Sequence, residues 1–124
     1  MLHLKLVTLV LVRVATCLSL PRQYVRPNAC CFTLHDSSTD ETVRQQTRHG
    51  LLYVGGSQPT GWYCIDLSGA KKVLWDAFNN ACFVNPDKEV RCLDPIPSGD
   101  SWGMKQSGDD VLVTVNGAHF ISVR

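Results

Sequence analysis

Three cysteines in 29 residues, each set in a short apolar run, constrain this chain more than any other feature. Cys64 lies in Trp62-Tyr63-Cys64-Ile65, Cys82 in Ala81-Cys82-Phe83-Val84, and Cys92 in Val90-Arg91-Cys92-Leu93. Turn formers separate the runs: Ser68-Gly69, Asn79-Asn80 and Asn85-Pro86-Asp87. Short apolar runs between such turns read as strands. A cysteine in mid-strand points at a core, where it cross-links one strand to another. The expectation is an all-β fold: a small disulfide-stapled β-barrel or sandwich.

The N-terminus reads as a leader. Residues 1–19 hold a weakly basic start (His3, Lys5), an apolar run from Leu6 to Val12, and small residues where a signal peptidase cuts, after Cys17 or Ser19. The rival is a membrane anchor. It fails on length, since a bilayer needs about 20 apolar residues, and Arg13 interrupts the run. Residues 20–28 form a leader segment with two prolines, and 29–124 a single β domain. Loss of Lys5 and Arg13 leaves ten basic against eleven acidic residues, a net charge of −1. That balance argues against nucleic acid as a partner, and against an anionic membrane surface after signal cleavage.

Cys17 leaves with the signal, so the disulfide candidates are Cys30, Cys31, Cys64, Cys82 and Cys92. Two bridges drawn from five cysteines allow about fifteen arrangements, and the sequence does not choose among them. Cys30 and Cys31 are neighbours whose side chains leave opposite faces of a strand. One joins the core; the other is the candidate for a spare thiol and for a disulfide-linked dimer. A zinc site is the rival for these cysteines, but no CxxC pair or spaced histidines support it, and no metal or other cofactor is expected.

Further strands are expected at 29–35, 42–47, 50–54, 72–76 and 102–106. Residues 70–77 are the only helical candidate, and they are short and rich in strand formers. The clearest local signal is C-terminal. Asn116-Gly117 between Val111–Val115 and Ala118–Val123 predicts a hairpin, because both turn positions of the preferred type need positive φ.

The order of these elements resembles a known family. Cys30-Cys31-Phe32-Thr33-Leu34 opens the domain, and Gly55-Gly56 precede Cys64-Ile65-Asp66. Ala81-Cys82-Phe83-Val84 and Arg91-Cys92-Leu93-Asp94 follow, then Trp102-Gly103-Met104 and a closing hairpin with Phe120. This resembles the small secreted cysteine-rich fungal proteins related to the C-terminal domain of PIR-type cell wall mannoproteins. The resemblance implies a β-barrel-like domain, secretion, and a cell wall or surface role without catalysis. Two departures matter. That group often carries a cysteine just after the closing aromatic, where this chain has Ile121-Ser122. The glutamine-containing repeats that attach PIR proteins to glucan are also missing, so covalent anchoring is not implied.

Catalytic readings have little support. His35, His49 and His119, with Glu89 and Arg91 alternating on one strand face, supply the residue types of a small ribonuclease. Most domains of this length contain the same types; a strand end, a loop and a solvated face account for them. GxSxG, HExxH and phosphate-loop motifs are lacking. Asp40-Glu41 and Asp109-Asp110 are adjacent in sequence and do not form a glycosidase pair, which needs two carboxyls across a cleft.

A binding role is the other reading, as an effector that contacts a host protein or a wall polysaccharide. Trp62, Tyr63, Trp75 and Trp102 offer flat faces for sugar rings or a partner, with Asp66, Asp76 and Asp100 as acceptors for hydroxyls. The favoured reading is that these aromatics fill the core, where each buries a large area. Trp62 and Tyr63 cannot both point inward, so one of the two is the better surface contact.

Overall fold

The computed structural model describes residues 2–3, 29–36, 39–66, 72–107 and 110–123; for 2–3, 107, 110 and 118–123 the description is confined to the backbone. All regular structure among these residues is strand: β1 Leu2–His3, β2 Ala29–Phe32, β3 Leu34–His35, β4 Val43–Gln45, β5 Leu52–Val54, β6 Tyr63–Asp66, β7 Leu74–Asp76, β8 Ala81–Val84, β9 Val90–Asp94, β10 Trp102–Ser107, β11 Asp110–Val115 and β12 Ala118–Val123. Within the 70–77 helical candidate, Leu74–Asp76 is strand β7, and none of its described residues is helical. Three antiparallel sheets form, in the orders β1-β5-β4, β10-β11-β12-β3 and β2-β6-β7-β8-β9. Sheets sharing one core fit the sandwich half of the expectation; no closed barrel forms among the described residues.

The rest of the expected leader and leader segment lies outside the described residues. Leu2 and His3 pair with Val54 and Tyr53, on the opposite side of β5 from β4.

The turns explain why strands begin and end where they do. Asn116 and Gly117 take φ of 52° and 82°, the positive values expected of the hairpin between β11 and β12. Asn79 and Lys88 also sit at positive φ, in the β7–β8 and β8–β9 turns. Asn85 closes the latter turn: its side-chain oxygen accepts from Glu89 N–H at 2.8 Å. Asp100 ties two sheets together, accepting from Val84 N–H in β8 at 3.0 Å and from the Asn116 amide at 2.8 Å.

Both described disulfides join residues that face each other across neighbouring strands. Cys31 pairs with Cys64 between β2 and β6, and Cys82 with Cys92 between β8 and β9, each with Cα atoms 4.0 Å apart. The expectation of a spare thiol is corrected. Cys30 is disulfide-bonded as well, and no cysteine among the described residues is free. Cys30 is also the inward member of its pair, 4% exposed.

The core gathers Phe32, Leu34, Val43, Leu52, Tyr63, Ile65, Leu74, Val90, Trp102 and the valines of β11. Side chains of this size each contribute about 1.5–3 kcal/mol when fully buried. In β6 the consecutive Tyr63, Cys64 and Ile65 are all fully buried. Alternation still sends them to opposite faces, but both faces of this interior strand are covered.

Gly50 fixes how the β4–β5 hairpin docks on β9. Its φ is 69°, its carbonyl accepts from Cys92 N–H at 2.9 Å, and a Cβ on it would overlap the Cys92 carbonyl. Only glycine permits this approach of two backbones.

Candidate functional site

The docking of that hairpin brings four separate stretches of chain to one face. They are residues 45–48, 59–62, the 77–80 turn between β7 and β8, and 92–93 in β9. Phe78 stands among them at the tip of its turn, 71% exposed. A cleft of about 190 Å³ opens on one side, lined by Gln45, Thr47, Arg48, Asn80 and Leu93 beside Phe78. A second, of about 100 Å³, is lined by Gln46, Pro59, Thr60, Trp62 and Ala77, again beside Phe78. Leu93 is also exposed. Scattered exposed apolar side chains are ordinary on protein surfaces. Phe78 differs in being shared by two clefts and held on a braced turn.

The brace is Asp76, 1% exposed at the end of β7. One carboxylate oxygen accepts from Phe78 N–H at 2.9 Å and Asn80 N–H at 2.7 Å. The other accepts from the Asn80 side-chain amide at 3.1 Å and from Gln45 Nε2 at 2.7 Å. A buried carboxylate is tolerated where donors replace water, and here four do. The turn is closed further by Asp76 N–H to the Asn80 carbonyl at 2.9 Å and by the positive φ of Asn79.

Tyr63 lies opposite Asp76 across the β6–β7 ladder. It is fully buried, and its hydroxyl has no hydrogen-bond partner. Burial, and then the negative charge of Asp76, hold its phenol well above the usual pKa of 10.0. Gly61, in the wall of the second cleft, packs directly against the Tyr63 ring; a Cβ there would overlap it. Gln46 Oε1, on the same cleft, is a second buried acceptor without a partner.

The expected aromatic contacts divide. Tyr63 is core, and Trp102 is 2% exposed with Nε1–H donating to the Cys82 carbonyl at 3.0 Å. Neither reaches the surface, because each sits on a strand face turned to the core; both are corrected as contact residues. Trp75 is half-buried on β7. Trp62, the other member of the Trp62–Tyr63 pair, is half-buried and lines the smaller cleft. Of the proposed carboxylates, Asp76 and Asp100 are committed to internal hydrogen bonds. The sequence reading did not single out Phe78, Gln45, Gln46 or Asn80. An apolar residue inside the turn signal Ala77-Phe78-Asn79-Asn80 was the available clue to Phe78.

Among the described side chains the acid–base candidates make separate contacts, apart from Arg91, which meets the His49 main chain. His35 Nε2 meets the Thr33 hydroxyl at 2.9 Å and its Nδ1 the Asp40 carbonyl at 3.3 Å. Glu89 accepts from the Asn85 amide at 3.2 Å, and Arg91 Nε donates to the His49 carbonyl at 2.6 Å. The side chain of His119 lies outside the description. No group of three or more His, Cys, Asp and Glu side chains among the described residues is placed to hold a metal, and the described residues form no helix long and apolar enough to cross a membrane. Comparison with family models, curated proteins and solved structures finds no match.

Proposed function

We propose that this chain is a secreted, non-enzymatic, cell wall or surface-associated protein that works by binding, through the face centred on Phe78. The exposed Phe78 ring carries the reading: four hydrogen bonds to buried Asp76 hold its turn in place. An aromatic held ready in this way loses little conformational freedom on contact, which favours binding. Three further points support the reading. Cross-strand disulfides suit an oxidising compartment. The N-terminal apolar run with small residues after it has the form of a signal peptide. The order of cysteine-bearing strands resembles the PIR-type wall domain and its fungal relatives.

The test is to express the full chain with its own leader in a secreting yeast, and to measure protein in the medium and in washed wall material. Wild type is expected with the wall fraction, and Phe78→Ala in the medium at equal total secretion. Wild-type protein entirely free in the medium overturns the wall role. Equal wall retention of Phe78→Ala overturns the assignment of the face.

A further inference from the structure

Resting on that binding role, we infer that the occupant of the Phe78 face is a neutral polysaccharide chain, laid across Phe78 with consecutive sugar units in the two clefts. Size is the first argument. The clefts measure about 190 and 100 Å³, below the roughly 300–1,000 Å³ of sites that enclose a small molecule. Two shallow clefts with one ring between them suit a polymer that rests on the surface and touches both.

The hydrogen-bonding groups on offer decide the class of polymer. Several backbone donors around the clefts are committed. Gln45 N–H goes to the Pro59 carbonyl, Gln46 N–H to Leu51, Gly61 N–H to Val43, and Asn79 N–H to Asp76. Phe78 and Asn80 N–H are held by the Asp76 carboxylate. An extended peptide that binds by adding a strand needs free main-chain groups, and these are not free. Side-chain groups line the clefts instead: the Thr47 and Thr60 hydroxyls, the Gln46 amide, and the side-chain oxygens of Gln45 and Asn80, whose amide nitrogens are held by Asp76. Such groups pair with sugar hydroxyls, which both donate and accept.

Gln46 supplies an independent observation. Its Oε1 is buried on the smaller cleft with no donor. An acceptor in that state costs about 1–3 kcal/mol, which a ligand hydroxyl recovers only by parting the cleft wall, since the atom is closed to solvent as the cleft stands. Phe78 and Trp62 add apolar ring faces on the same cleft, suited to the C–H face of a pyranose. Charge points to a neutral chain. Among the described residues Arg48 is the one charged residue lining either cleft, and a single exposed guanidinium is a hydroxyl donor as readily as an anion site.

The test uses purified full-length secreted protein and pull-down on insoluble β-glucan, mannan and chitin, each freed of protein. Wild type is expected on at least one matrix. Phe78→Ala and Gln46→Ala should each weaken retention about tenfold or less, the range of one aromatic or hydrogen-bond contact. Ile96→Ala, which removes an exposed apolar side chain away from both clefts, should change nothing. Soluble oligosaccharides should compete better than the monosaccharide, since two clefts must be filled. Thermal melts identify a variant that fails to fold, and oligosaccharide competition on wild type tests the inference without any variant. Absence of retention on every matrix, or competition by monosaccharide equal to that by oligomer, overturns the inference. Retention on native wall material that protease abolishes and glucanase spares also overturns it, while leaving the binding role standing with a protein partner.

Discussion

Gln45 donates its side-chain amide to Asp76 at 2.7 Å, and both residues are buried although 31 positions separate them. This bond joins the β4–β5 hairpin to the turn that carries Phe78. It makes the position of an exposed aromatic depend on a buried polar contact between two sheets.

Removing that donor leaves a buried carboxylate one partner short. Gln45→Ala is expected to cost about 1.5–3 kcal/mol, the range for a hydrogen bond to a charged group. Asp76→Ala should cost at least as much, because it strips the turn of its acceptor at Phe78 and Asn80 as well. Urea denaturation of the two variants and wild type measures both. A Gln45→Ala loss below the error of the method would show that the contact does not brace the turn.

Tyr63 gives a pH-dependent prediction. Its phenol stays neutral in the fold well above the usual pKa of 10.0, owing to burial and to Asp76. As pH rises through the unfolded value, the unfolded chain releases the proton and the folded chain keeps it. Stability from this group is therefore complete below about pH 10 and is lost as pH climbs toward the raised folded value. Tyr63→Phe should flatten that alkaline loss. At neutral pH it should be neutral or stabilising by about 1 kcal/mol, since the hydroxyl it removes has no partner. Thermal melts of both proteins from pH 7 to above pH 10 provide the comparison; identical alkaline slopes would contradict it.

The two described disulfides close loops of different length, with separations of 33 and 10 residues. Loop-closure entropy then predicts a cost of about 3.7 kcal/mol for removing Cys31–Cys64 and about 2.7 kcal/mol for Cys82–Cys92. Paired alanine variants, followed by chemical denaturation, test the order. The reverse order would mean that native packing around each bridge outweighs the constraint on the unfolded chain.

Much of the fold was legible because strand signals are local. The run Val111–Val115, Asn116-Gly117, Ala118–Val123 forms the hairpin its turn residues specify. The runs around Cys82 and Cys92 become β8 and β9, joined by the Asn85 turn. The aromatic residues were harder. Trp62 and Tyr63 were separated correctly in principle by alternation, yet nothing local says which of them is buried. Trp102 reads as core filler before surface platform, and it is core, with its indole nitrogen satisfied by a carbonyl 20 residues away.

The sequence by itself determined an all-β domain, the places of its main strands and turns, and a set of cysteines placed to bridge strands. These follow from backbone preferences and from side-chain alternation within a few residues. Tertiary structure alone decided that Cys31 meets Cys64 and Cys82 meets Cys92, that Cys30 turns inward, and that Phe78 stands exposed between two clefts. The reason is that pairing register and burial depend on what lies opposite each strand. Gln45, Trp62, Phe78 and Leu93 share no sequence pattern, and only the docking of the β4–β5 hairpin on β9 and on the end of β7 sets them side by side.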